Sequence, residues 1–405
     1  MKNYNRIFTL FFFISILVGQ PTFTEHTIST SANAARSVYP VDVDGDKDVF
    51  LPSSDDDEIA WHENDGSESF TDHAISDSAD VATSVYTVDV DDDGDEDMDV
   101  LSASSDDNRI AWYEQTGRSV QTTTYVPDDN FEQALIDFGY DDVLDDSVLT
   151  ANISSVTSLD VGEREISDLT GIAGFTALTS LSCDQNQLTS LDVSGNTALT
   201  YLYCRDNALT SLDVSNNTAL TTLNCYGSSS TSTYGVTNQI TALDVSNNTA
   251  LTYLSCAYNQ LTTLDVSNNT ALTSLTCYSN QLTALDVSNN TALTYLNCDG
   301  SPSYSTTGVT NQITALDVSN NTALTSLSCA YNQLTTLDVS NNTALTHLYV
   351  SYNALTTLDV SNNTALTSLQ CAYNQLTTLD VTNNTALTSL SCYNNQLIVC
   401  ALQGC

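Results

Sequence analysis

The chain has 405 residues, a formal net charge of −42 and only 8 Lys and Arg, with none beyond Arg205. Such a surface repels phosphate backbones and anionic lipid, which excludes nucleic acid and acidic membranes as partners. It suits solubility in salty surroundings, and it suits divalent cations, which take oxygen ligands.

The first element reads as an export signal over residues 1–20. Lys2 and Arg6 precede the apolar run Ile7–Val18, 12 residues long. That is too short to cross a bilayer and right for a signal-peptide core. No second apolar run follows, so the mature chain is expected to be soluble and not inserted in a membrane. No Cys follows the run to carry a lipid.

Residues 21–118 hold a repeat. Ser37, Val38, Tyr39, Val41, Asp42 and Asp44 recur as Ser84, Val85, Tyr86, Val88, Asp89 and Asp91, and Ile59-Ala-Trp61 recurs as Ile110-Ala-Trp112. Within the second copy, Asp89, Asp91, Asp93, Gly94 and Asp97 read D-x-D-x-D-G-x-x-D. Carboxylates at alternate positions converge on one point, and the glycine permits the turn that lets them, so this loop is expected to hold Ca²⁺; a solvated acidic turn is the alternative. The first copy is four residues shorter and places Lys47 where Gly94 stands, which weakens its claim to a metal. These motifs resemble the FG-GAP or VCBS repeats of β-propellers. The resemblance implies a partial propeller-like region and a backbone carbonyl ligand from Asp95. About two copies are present where a ring usually has seven, so sheet edges are left open.

Residues 119–125 are expected to be a linker. Over 126–176 the sequence predicts an N-terminal cap: Pro127-Asp-Asp129-Asn-Phe131-Glu132 starts a helix with an apolar face. Asp160-Val161 and Leu169–Ile172 look like degenerate first coils.

From about Leu188 the chain repeats every 21 residues, and each unit has two similar halves. Leu188, Leu191, Val193 and Asn196 have the spacing of Leu199, Leu202, Cys204 and Asn207. Each half reads L-x-x-L-x-[V/C]-x-x-N. The L-x-V and L-x-C steps both predict short strands, and the Asn turns the chain while serving backbone groups of the next coil. This pattern resembles the leucine-rich repeats, closest to a short bacterial class. The resemblance covers 177–397, or ten coils, and leaves 398–405 as a tail. It implies a mainly β fold: a parallel β-solenoid or horseshoe behind a helical cap. It also implies a bacterial protein, secreted or on the cell surface. One coil buries about six apolar groups, worth roughly 10–18 kcal/mol, against about 30 kcal/mol to order 21 residues. Stacking must therefore supply the rest.

Nine of the 11 cysteines share one phase of the repeat, from Cys183 to Cys392, and one coil has Val350 there instead. A site that accepts Val wants a small apolar body, so these are expected to be buried free thiols. Cys400 and Cys405 lie outside the phase and could pair. Asp192, Asp213, Asp244, Asp265, Asp286, Asp317, Asp338, Asp359 and Asp380 form a second column, which either faces water, binds cations or caps local backbone.

The L-D-V half hardly changes between coils, whereas the L-x-C half varies. Its outward positions include Tyr201, Tyr203, Tyr253, Tyr258, Tyr331, Tyr349, Tyr352 and Tyr373, expected here as ligand-binding residues. In leucine-rich repeats the corresponding face is the concave ligand surface, and Tyr offers a flat ring with a polar tip. Two ten-residue insertions, falling within Tyr226–Thr237 and Asp299–Thr310, could frame that face. No catalytic constellation is found: His26 and His73 share a framework phase, and His62 and His347 align with non-basic residues elsewhere. The expected function is adhesion to an extracellular protein or polysaccharide, not catalysis. The alternatives are an inert surface spacer, or ice or crystal binding through the outward column Thr189, Thr210, Thr241 and Thr262.

Overall fold

In a computed structural model the chain divides into two compact units, residues 1–120 and 121–405. The residues described are 39–42, 47–52, 59–64, 70–76, 81–88, 99–104, 109–113, 122–227, 237–300 and 310–401. The export signal, the Asp89–Asp97 loop, most of both insertions and Cys405 lie outside them.

Among its described residues the first unit holds two antiparallel sheets. One has four strands in the order β1 (Tyr39–Asp42), β2 (Lys47–Pro52), β3 (Ile59–Asn64), β4 (Phe70–Ser76). The other has three, β5 (Ala82–Val88), β6 (Asp99–Ser104) and β7 (Arg109–Tyr113). The sequence repeat reappears as a repeat of register: Phe50 faces Trp61 in one sheet, and Leu101 faces Trp112 in the other. Phe50, Ile59, Ala82, Val85 and Val100 form a small shared core. Equivalent residues meet different fates where the sheets differ. Ile59 is fully buried beside β4, while Ile110 on the edge strand β7 is 81% exposed.

The second unit opens with β8 (Thr123–Tyr125), which pairs antiparallel with β9 (Ser147–Leu149). Part of the expected linker therefore belongs to the cap. Helix α1 (Asp129–Phe138) lies between them, as the cap motif predicts. The Asp128 carboxylate accepts from the N–H groups of Asn130 and Phe131, and Gly139 closes the helix at φ 77°. Phe131 and Leu135 bury the apolar face, with Phe131 against Phe175.

Eleven parallel strands, from Ser158–Asp160 to Ser389–Ser391, form the solenoid sheet. The central Leu of each strand pairs with the next, Leu159 to Leu181 to Leu202 and onward, so the register never slips. The sheet begins at Ser158–Asp160, beside Val161 in the stretch read as a degenerate coil. Each strand is three residues long, and all but the first, whose pattern reads Leu159-Asp160-Val161, belong to the L-x-C half or its Val350 counterpart. The L-D-V half was expected as a second strand; among the described residues of the regular coils it forms one at Thr378–Asp380, paired with Val399–Ala401. In every coil the Asp of this half caps the N–H two residues on, and Asp380 does so within its strand.

The core is one continuous file of Leu, Val and Cys along both halves. Cys183, Cys204, Cys225, Cys256, Cys277, Cys298 and Cys329 are free and buried, Cys371 is buried in the same column, and Cys392 is partly exposed at the end. Val350 fills the same column, fully buried. Burial pushes these thiols up, Cys225 to about 12, so they pack as hydrophobes.

Asn side chains tie coil to coil. Asn280 donates to the carbonyls of Cys256 and Cys277 at 3.0 and 3.1 Å and accepts from the N–H of Leu261 at 3.0 Å. Asn290, in the other half, donates to the carbonyls of Val266 and Asn269 at 2.9 Å. Its buried Oδ1 has no partner, and the same holds from Asn196 to Asn384. Thr200, Thr221 and their equivalents each donate to the Thr carbonyl one coil back. The insertions leave at Gly227 and Gly300. A Cβ there would stand 2.0 Å from the Tyr258 carbonyl oxygen and 1.7 Å from that of Tyr331, so no other residue fits without displacing backbone.

Candidate ligand-binding face

Each strand presents the two residues that flank its inward Leu. These form two outward columns. One runs through Tyr201, Thr222, Tyr253, Ser274, Tyr295 and Ser326 to His347. The other includes Tyr203, Asn224, Thr276, Asn297 and Tyr349. The eight tyrosines expected as one site fall into two groups. Tyr201, Tyr203, Tyr253 and Tyr349 stand on the sheet. Tyr201 and Tyr203 meet edge to face at 6.0 Å, and His347 meets Tyr349 in the same way at 6.1 Å.

Tyr258, Tyr331, Tyr352 and Tyr373 instead lie past the strand, two residues after the Cys or Val, at φ 53–58°. Gln185, Asp206, Ser279 and Asn394 share that left-handed position. It costs a non-glycine residue about 1–2 kcal/mol. Ring stacking contributes about 0.5–1.5 kcal/mol per pair, enough to offset much of that where the rings meet. Tyr331 stacks on Tyr352 at 4.2 Å and Tyr352 on Tyr373 at 4.1 Å, with Tyr393 edge-on at 5.2 Å. A hydrogen bond with Tyr373 raises the Tyr352 phenol above its ordinary range. A second cluster joins Tyr226, Tyr258 and Tyr278 edge to face, with the Tyr278 hydroxyl donating to that of Tyr226 at 3.2 Å. Burial raises Tyr278 strongly. Tyr278, Tyr295 and Tyr393 were missed as candidates from the sequence. The 21-residue period would have found Tyr295, one repeat beyond Ser274.

Charge is sparse on this side. Arg205 is pinned to Asp184 of the preceding coil, its N–H at 2.9 Å from one carboxylate oxygen and its Nε at 3.1 Å from the other. Burial nevertheless raises the Asp184 carboxyl. Asp299 accepts from the Ser328 hydroxyl at 2.7 Å and from the Ala330 N–H, and burial pushes it up to about 6.

The opposite half is acidic and regular. Asp192 accepts from the N–H of Ser194, Asp213 from Ser215, Asp265 from Ser267, and so on to Asp380 with Thr382, each at 2.9 Å. Hydrogen bonds from the same residues hold these carboxyls below their ordinary value. Of the three readings of the column, capping of local backbone is therefore realised in every coil.

A family described as FG-GAP-like repeat matches residues 41–98, and one described as LVIVD repeat matches residues 187–227, within the solenoid. Internalin J of Listeria monocytogenes serotype 4b (strain F2365) is 40% identical over 80 residues, 20% of this chain and 9% of that protein. The solved functional domain of InlJ from Listeria monocytogenes, described as including a cysteine ladder, has 43% identity and a TM-score of 0.60. That match covers 68% of this chain and 58% of the solved chain. The internalin InlF from Listeria monocytogenes str. 4b F2365 has 27% identity and a TM-score of 0.54, over 67% of this chain and 84% of that one. The chain thus spans less than two thirds of the internalin J sequence and of its solved domain. Its unbroken sheet, Asn ladders and cysteine column make it a leucine-rich-repeat protein with an internalin-like solenoid, preceded by an FG-GAP-like repeat.

Proposed function

We propose that this protein is an adhesin-like binding protein, exported to the surface or medium of a bacterium, that recognises an extracellular protein or polysaccharide on its solenoid sheet. One observation carries the reading. The uniform side of each coil is explained by the fold itself, because every Asp there caps a backbone N–H. The sheet side is not explained in that way. Tyr201, Tyr203, Tyr253 and Tyr349 hold no backbone group in place, and Tyr201 is 45% exposed. The other three rings are half-buried, and accessible rings that serve no backbone group are what a binding surface requires. The few charged groups on the sheet side favour a partner read by hydrogen bonds and ring contacts rather than by ion pairs.

Within the same reading, Asp89, Asp91, Asp93 and Asp97, with the carbonyl of Asp95, hold Ca²⁺ and order the second FG-GAP-like copy. The binding role is tested by probing glycan and protein arrays with the purified chain and with the triple variant Tyr201→Ala, Tyr203→Ala, Tyr253→Ala. Signal lost in the triple variant supports the sheet face, and signal equal in both removes it. No helix among the described residues is long and apolar enough to cross a membrane.

A further inference from the structure

The solenoid cap contains an acidic cluster that the binding role does not use. One carboxylate oxygen each from Asp129, Glu132 and Asp146 lie within 4.8 Å of one another, the one such cluster among the described residues. Asp129 and Glu132 stand in the first turn of α1, where the positive end of the helix dipole accounts for a carboxylate with no further partner. That account does not reach Asp146, which comes from the loop before β9.

Glu132 is the unusual member. It is 1% exposed. Its Oε1 accepts from the N–H groups of Asp145 and Ser147 at 2.9 and 3.0 Å, which clamps the loop to the helix. Its Oε2 is buried and has no partner. A buried carboxylate oxygen left without a donor is rare, because the charge it carries is expensive to remove from water. The ion pairs formed by Arg164 and Arg205 go to Asp137 and Asp184, not to this cluster. The loop is also rigidly set: the Asp146 carbonyl accepts from the Val126 N–H at 2.8 Å, and Asp146 is held at φ 66°.

We infer that Asp129, Glu132 and Asp146 form a Ca²⁺ site that ties the first turn of α1 to the loop before β9. Three carboxylates without His or Cys are a hard-oxygen donor set, and two of the three are exposed, which leaves room for water to complete a flexible shell. The ion supplies the missing partner of Glu132 and closes the capped end of the solenoid. The site is separate from the Asp89–Asp97 loop, in a different unit of the chain.

The test uses the full mature chain, stripped with a chelator and titrated with CaCl₂ by calorimetry. Asp91→Ala plus Asp93→Ala removes the loop first. In that background one Ca²⁺ is expected to bind still, and Asp129→Asn plus Asp146→Asn is expected to weaken it at least about tenfold. Both of the latter residues are exposed and Asn accepts a left-handed backbone, so this pair keeps the fold, checked by circular dichroism. Glu132→Gln, which keeps an acceptor for the two loop N–H groups, should weaken binding as well. Absence of Ca²⁺ binding in the loop variant would overturn the site, as would binding that the Asn pair leaves unchanged. An equal response to MgCl₂ would overturn its assignment to calcium. Failure of the Asp89–Asp97 loop shows separately, as no loss of stoichiometry in the Asp91→Ala, Asp93→Ala variant.

Discussion

The two halves of each coil are built from nearly the same letters and end up with different duties. Both bury two Leu and one small apolar residue, and both turn on a buried Asn. In the L-x-C half the backbone joins the neighbouring strands, and the Asn uses both ends of its amide. In the L-D-V half the Asp claims the N–H two residues on, the ladder is absent from nearly every coil, and the Asn leaves its oxygen without a donor. Where the backbone satisfies itself through the sheet, outward side chains are released to vary. Where side chains must satisfy the backbone, the sequence is held constant.

The largest consequence is for stability. Asn280→Ala strands a buried N–H and frees the carbonyls of Cys256 and Cys277, whereas Asn290→Ala frees carbonyls alone. At about 1–3 kcal/mol for each buried group left unsatisfied, we expect losses of about 3 kcal/mol or more for the first and about 2 kcal/mol for the second. Urea unfolding measures both, and a larger loss at Asn290 would reverse the comparison.

Binding should divide along the same line. Replacing Tyr201, Tyr203 and Tyr253 by Ala is expected to cost about 2 kcal/mol of affinity, roughly thirtyfold, if one of them is a hot spot. Replacing Asp213, Asp244 and Asp265 by Asn keeps the acceptor for each capped N–H and should leave binding intact. Surface plasmon resonance on the ligand found by array decides, and loss confined to the Asp set would transfer the function to the acidic half.

The acid response has opposite signs on the two sides. The capping carboxylates lie below their ordinary value of 3.8 when folded, so their contribution is complete above about pH 4 and fades as pH falls through the depressed values. Asp299 lies at about 6 when folded, so the native state holds that proton more tightly. Its effect is to lower stability as pH rises from about 4 to about 6. Asp299→Asn should remove that slope from the pH dependence of Tm, and an unaltered slope would mean that Asp299 does not cause it.

The smallest effect is expected in the cysteine column. Cys277→Val should change stability by less than about 1.5 kcal/mol, as a swap between small apolar bodies, because Val350 already fills an equivalent place. The folded chain should also react slowly with a thiol reagent, and most repeat cysteines should become reactive on unfolding. Fast labelling of the folded chain at any repeat cysteine other than Cys392 would contradict a closed core.

The 21-residue period alone determined which residues face inward, where the Asn ladders stand and that the coils stack in register. Burying a repeated pattern of Leu, Leu, Val or Cys on one axis has one solution, and Asp160-Val161 reads as a worn copy of the pattern. The cap helix was legible from Pro127 to Glu132 for a similar reason, since its start signals are local. Period could not say which half would pair as strands, because L-D-V and L-x-C alternate identically; only the stacked coils show the L-x-C positions in the continuous ladder. Nor could it separate Tyr349 on the sheet from Tyr352 at the left-handed turn three residues on. Only the tertiary structure brought Asp146 to Glu132. Thirteen residues of intervening chain carry no spacing rule, and the meeting of the two depends on where the packed helix and the β8–β9 pair leave the loop.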